Sequence, residues 1–169
     1  MPTKPVLKRR CQLSKVLQLG CGIRPLEGAI NHDIEKHSDF VDVVWDLNEM
    51  PWCWQDEEFD KIIALDVLEH VKSEVYEWLD ECWRILKPNG ELVMRLPAWD
   101  HECSHRDPTH RVFFHPETFS YWDKRTEWHK NYGWYYYRKS NKWWITEHVE
   151  RRDAGANWFY VLRKDSNDS

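Results

Sequence analysis

Lys15-Val16-Leu17-Gln18-Leu19-Gly20-Cys21-Gly22 runs apolar for the length of one strand and then stops at two glycines. Such a run ends a buried strand and hands the backbone to a tight turn, where missing Cβ atoms let a ligand approach the peptide itself. A dinucleotide fingerprint would add a third glycine, whereas Ile23-Arg24-Pro25 follows here. A glycine pair after a strand occurs in many α/β proteins and carries little weight alone.

Working outward, three more apolar segments each close on an acid: Ala29 to Asp33, Phe40 to Asp46, and Phe59 to Asp66. In a parallel sheet all strand C-termini lie along one edge, so the turn and the three carboxylates would line a common crevice. The acid at the second strand's tip is placed for ribose hydroxyls. Another can accept from an adenine amino group, and a third stands near the amino-acid end of a cationic ligand.

The order Leu19-Gly20-Cys21-Gly22, Asn31-His32-Asp33, Trp45-Asp46-Leu47, Leu68-Glu69-His70 and Arg84-Ile85-Leu86-Lys87-Pro88-Asn89-Gly90 resembles the class I S-adenosylmethionine-dependent methyltransferases, in particular their short single-domain bacterial and phage type. The likeness is close over residues 15–97 and looser beyond. It implies a Rossmann-like fold with S-adenosylmethionine as cofactor. It also implies that Gly20, Cys21 and Gly22 approach the ligand, that Asp33 takes the ribose, Asp46 and Leu47 the adenine, and Asp66 with Val67 the sulfonium end. An acidic crevice suits a fixed positive sulfur better than it suits a pyrophosphate. Two departures stand out: Gln18 occupies a position where the family usually has Asp or Glu, and Asp33 follows Gly22 by far fewer residues than the roughly 20 of a dinucleotide-binding unit.

The expected fold is therefore α/β, a Rossmann-like, mostly parallel sheet with an antiparallel C-terminal hairpin and a truncated first crossover helix. The chain has 169 residues, enough for one domain without a metal or disulfide. Residues 1–14 read as a basic leader, 15–164 as a methyltransferase-like domain and 165–169 as a polar tail. A net charge of −5 gives no global basicity for nucleic acid or membrane. Five scattered cysteines without CxxC spacing point to free thiols. With neither a signal-peptide core nor a run of about 18 apolar residues, a cytoplasmic location is expected.

Trp52 and Trp54 are expected to pack on the sheet. From Ser73 as N-cap, Val75, Trp78, Leu79, Cys82, Trp83 and Leu86 recur at helical spacing until Pro88-Asn89-Gly90, where glycine would take the left-handed position. Glu91 to Leu96 reads as a strand, Trp99 to Arg111 as a polar loop at its end, and Glu117 to Trp122 as a short helix behind Pro116. Lys142 to Val149 and Asn157 to Leu162 read as two strands joined at Asp153-Ala154-Gly155.

The polar loop stands where a methyl acceptor would have to sit, and its chemistry admits three readings. Methyl transfer needs alignment and, for a hydroxyl or protonated amine, a base. His110 could be that base with Asp107 orienting it; Asp107 could equally open an Asx-turn at Pro108. His101, Cys103 and His105 alternate but match no zinc spacing, so no metal is expected. His70 reads as structural. The expected activity is methyl transfer to an oxygen or nitrogen of a small molecule or saccharide. The alternative is a Rossmann-like binding module, a degenerate methyltransferase that holds nucleic acid or a protein partner. Its surface would be the aromatic basic stretch from Lys124 to Arg152, where stacking rings alternate with cations.

Overall fold

The computed structural model describes residues 14–136 and 142–166. The basic leader apart from Ser14, residues 137–141 of the aromatic stretch and 167–169 of the tail fall outside the described residues.

A seven-stranded sheet runs in the order β3-β2-β1-β4-β5-β7-β6. Its strands are β1 (Val16–Leu19), β2 (Ile30–Asp33), β3 (Val43–Val44), β4 (Phe59–Leu65), β5 (Leu86–Pro97), β6 (Trp144–Arg152) and β7 (Asn157–Lys164). The first five pair in parallel, and β7 lies antiparallel between β5 and β6. The expected Rossmann-like sheet with its antiparallel C-terminal hairpin is thus what forms. Leu17, Leu19, Ile62, Ala64, Leu92, Met94 and Leu96 are fully buried, as strands covered on both faces require.

Helices are few. No helix joins β1 to β2 or β2 to β3; α1 (Val75–Ile85) is the long crossover, between β4 and β5. Its buried face is Trp78, Leu79, Cys82 and Ile85. Ser73 is not its N-cap: Glu74 is, in a capping box where the Glu74 side chain accepts from the backbone of Glu77 and the Glu77 carboxylate accepts from the Glu74 N–H. The helix also stops earlier than Pro88. Leu86 already belongs to β5, which carries Pro88 to Gly90 inside it. The left-handed residue there is Asn89, at φ 62°. Gly90 is required for space, since a Cβ would stand 2.9 Å from both Leu86 Cδ2 and the Lys87 oxygen.

In place of the missing first crossover, residues 20–29 form a loop tied down by amides. Gln18 donates to the Arg24 oxygen at 3.0 Å and accepts from the Leu26 N–H at 2.7 Å, and the Asn31 oxygen takes the same N–H at 2.9 Å. A carboxylate could accept but not donate, so a glutamine at this position closes the loop with both bonds where Asp or Glu could make only one.

Trp52 and Trp54 are buried, edge to face, with Trp54 against His32 and Phe59. The polar loop after β5 contains a short helix, α2 (Glu102–Arg106), and a 3₁₀ segment spans Thr118–Trp122. The aromatic stretch holds a helix that periodicity did not reveal, α3 (Glu127–Tyr136). The free cysteines among the described residues are Cys21, Cys53, Cys82 and Cys103.

Candidate active site

Four strand ends meet as their order requires, and the glycine turn is wired to β2. Gly20 and Gly22 both have left-handed backbones, at φ 58° and 52°. The Gly22 N–H donates to Asp33 Oδ2 at 2.7 Å, and the Ile34 N–H donates to Oδ1 at 2.8 Å. Burial works to raise the Asp33 pKa, but these two N–H groups and nearby His37 outweigh it and hold the carboxyl below its ordinary value. Asp33 is an anion at neutral pH whose position the backbone fixes.

His32, buried beside it, gained no role from sequence. Its Nε2 lies 2.9 Å from the Trp45 oxygen, which can only accept, so Nε2 carries the proton and Nδ1 takes the Gly20 N–H at 3.4 Å. Desolvation lowers its pKa, which keeps it in that neutral form. One imidazole therefore ties the ends of β1, β2 and β3 together.

Gly20, Asp33, Asp46, Leu47 and Val67 line a cleft of 160 Å³ together with Ile34, Asn48 and His70. Asp46 Oδ1 accepts from the Asn48 backbone and side-chain N–H groups. Three expected residues stand outside the cleft wall. Cys21 is buried beneath the turn, its thiol 3.8 Å from Asp33 Oδ2. Gly22 acts through its N–H on Asp33. Asp66 is held by a bidentate ion pair with Arg95, so its charge is already compensated.

Asp66 belongs instead to a second, polar hollow of 480 Å³, which His70 shares with the cleft. Glu69, Asp107 and His110 line it. The Arg111 N–H donates to the Glu69 backbone oxygen at 2.8 Å and so pins the polar loop against the Leu68–His70 turn. That contact brings His110 to His70, ring centroids 4.8 Å apart.

Asp107 does not orient His110. Its Oδ1 accepts from the Thr109 N–H at 2.9 Å and hydroxyl at 2.6 Å, an Asx-turn, while Oδ2 is 4.0 Å from His110 Nε2. The hydroxyl of Thr109 chiefly, with its N–H, holds the Asp107 pKa down. Because the Thr109 proton goes to Asp107, its oxygen accepts from His70 Nδ1 at 2.7 Å. What orients His110 is the Ser104 carbonyl, 3.1 Å from Nδ1. In both imidazoles Nδ1 donates and Nε2 keeps a free lone pair.

Glu69 is the residue that sequence reasoning missed. It is 1% exposed, and neither carboxyl oxygen has a hydrogen-bond partner. Desolvation, with a smaller push from Asp66, drives its pKa up to about 8. Desolvation and then His110 lower the pKa of His70. Buried polar groups are nearly always paired, so a lone carboxyl on the wall of a hollow marks a place where something else is meant to bind or react.

The aromatic basic stretch is less available than its composition suggests. Arg125 is paired with Asp123, Lys130 with Glu127, Arg151 with Asp100 and Arg152 with Glu150. Trp144 is buried, while Trp128 and Tyr132 are exposed. Among the described residues no helix is long and apolar enough to cross a membrane.

Residues 17–94 match the family described as "Methyltransferase domain". No curated protein matches the chain. A chain from the Haloferax volcanii complex that contains the Trm112 methyltransferase activator superposes with a TM-score of 0.61 at 13% identity, over 90% of this chain and 83% of that one. A structure described as a SAM-dependent methyltransferase from Archaeoglobus fulgidus gives 0.58 at 17% identity, over 89% and 86%. Another so described, from Methanosarcina mazei, gives 0.57 at 13%, over 90% and 92%. At such identities the likeness concerns the fold.

Proposed function

We propose that the chain, whose residues 17–94 match a methyltransferase domain, is an S-adenosylmethionine-dependent methyltransferase in which the cleft holds the cofactor while the polar hollow holds a methyl acceptor presenting a hydroxyl or amine. The observation that carries this division is His70, which walls both spaces at once. A cleft of 160 Å³ is smaller than the roughly 300–1,000 Å³ of ordinary ligand pockets, and the adjoining hollow supplies the remaining room.

The residues fit S-adenosylmethionine. At Gly20 a Cβ would lie 2.7 Å from Val67, and at Gly22 nothing stands within 4 Å of where a Cβ would be. The turn is thus tight beneath and open above, as a backbone cradle must be. Asp33 and Asp46 offer oxygens for ribose and adenine, with Ile34 and Leu47 as apolar walls. The cofactor supplies a methyl group activated by a positive sulfur. The chain binds, aligns and takes a proton: we assign Nε2 of His110 as the proton acceptor, and Asp107 stands close enough to favour the resulting imidazolium. A small molecule or saccharide suits a hollow of this size, and a cytoplasmic setting suits the free thiols.

Calorimetry with S-adenosylmethionine tests the reading. Saturable binding is expected, weakened at least tenfold by Asp33→Ala. Absence of heat and of any thermal shift in the wild type would refute it. His110→Ala is expected to abolish turnover while leaving cofactor affinity within about threefold, the behaviour of a group used in the transition state.

A further inference from the structure

We propose that Glu69, His70 and His110 form a binding site for a divalent first-row cation, zinc in the first instance, in the wall of the polar hollow. One ligand-type atom from each of the three lies within 4.8 Å of the others. The set is one carboxylate and two imidazoles, the composition of open catalytic zinc sites that leave a fourth position for an outside oxygen. Such an ion would draw the three atoms to about 3.3–3.6 Å from one another, since its bonds to nitrogen and oxygen are about 2.0–2.2 Å long and tetrahedrally arranged.

Two independent features prepare these side chains as ligands. Glu69 is buried with both oxygens unpartnered, and a cation would resolve that deficit. The imidazoles are already set as ligands: His70 Nδ1 donates to Thr109 and His110 Nδ1 to the Ser104 carbonyl, so each Nε2 presents a lone pair. Metal-bound histidines are held in this way, with the second nitrogen anchored to a carbonyl or an oxygen-bearing side chain. Asp107 extends the support, through Thr109, to His70.

The site differs from the alternating His101, Cys103 and His105. There the His101 ring caps α2 through the Cys103 N–H, the Cys103 thiol donates to the Ala156 oxygen, and His105 bonds the Trp99 oxygen. The use of the ion rests on the methyltransferase reading, whereas its binding does not. In the metal-free chain Nε2 of His110 is the proton acceptor assigned above; with the ion bound that lone pair is a ligand, and a hydroxyl acceptor at the open position would release its proton to water as its oxygen joins the cation.

Purified full chain, stripped with chelator, should take up one zinc per chain by mass spectrometry of the dialysed protein, and Zn²⁺ titration should saturate at one equivalent. Glu69→Gln and His110→Ala should each lower the affinity at least tenfold, while Cys103→Ser leaves it within twofold. Cobalt-loaded protein should show d–d absorption without a thiolate charge-transfer band. Circular dichroism checks that each variant folds; should Glu69→Gln fail to do so, His110→Ala decides. Less than half an equivalent bound, unchanged affinity in the folded variants, or a thiolate band overturns the proposal. Cofactor calorimetry on the same metal-free protein is a separate readout, so loss of the metal site and loss of the methyltransferase reading are told apart.

Discussion

Gly20 and Gly22 have the same left-handed backbone, yet substitutions at the two should behave differently. A left-handed residue with a Cβ costs about 1–2 kcal/mol at either place. At Gly20 the new Cβ would also fall 2.7 Å from Val67 Cγ2 and 2.8 Å from Val67 Cβ, whereas at Gly22 it would meet nothing. Gly20→Ala should therefore destabilise by about 1–3 kcal/mol more than Gly22→Ala in urea unfolding, the surplus being the overlap with a side chain that packs against the core. Gly22→Ala should instead weaken S-adenosylmethionine binding with a smaller loss of stability. Equal stability losses would mean that Val67 yields, and the turn would then not be rigid. Sequence revealed the glycines because a missing Cβ is visible in one letter. It could not reveal Glu69, because the isolation of that carboxyl depends on the Arg111 N–H, 42 positions along the chain, folding the polar loop over it.

Among the elements, the junction between the 3₁₀ segment Thr118–Trp122 and the edge strand β6 is fastened by one carboxylate. Asp123, 1% exposed, accepts from the Arg125 N–H, Nε and Nη2 and from the Thr146 N–H of β6. Burial alone would raise its pKa; Arg125 and the two N–H groups outweigh it, so the folded-state value lies below the unfolded one. With that sign, the contribution is full above the unfolded pKa of about 4 and is lost as pH falls through the folded value. Asp123→Ala should cost about 2–4 kcal/mol at pH 7 and flatten the acid limb of the stability profile, measured by denaturant melts between pH 3 and 7. An unaltered acid limb would assign acid sensitivity elsewhere. Such a junction was not legible in the sequence, and neither was α3, whose aromatic residues show no clean apolar stripe. Strands β1, β4 and β5 and helix α1 were legible because burial on two faces or on one stripe leaves a strict pattern. The end of α1 was misplaced for a physical reason: Pro88 and Gly90 suggest a helix stop, but here they lie within the start of a long strand that begins at Leu86.

At the scale of the molecule, a single sheet connects the proposed cofactor cleft to the far C-terminal edge. The carboxylates of the cleft, Asp33 and Asp46, stand at the ends of β2 and β3, and β5 joins that half to β7 in unbroken register from Glu91 opposite Arg163 to Pro97 opposite Asn157. Lys164, at the end of β7, is buried against the Trp83 ring of α1 and donates to the Leu86 oxygen at 2.7 Å, which locks the C-terminal strand to the crossover helix. A ligand that binds only the folded cleft should therefore stabilise the whole chain as one cooperative unit. S-adenosylhomocysteine, which has the same nucleoside and amino-acid ends without the transferred methyl, serves as probe. At about one hundred times its dissociation constant it should add about 2.7 kcal/mol, raising the midpoint of a chain of this length by about 5–10 °C. Far-UV circular dichroism and tryptophan fluorescence should move together, because buried tryptophans sit in both halves, Trp54 beside His32 and Trp144 in β6. Two separated transitions, only the earlier part of the chain responding to ligand, would show that the C-terminal hairpin folds independently of the cleft. An unshifted midpoint at saturating ligand would instead mean that the strand ends converge without binding the nucleoside.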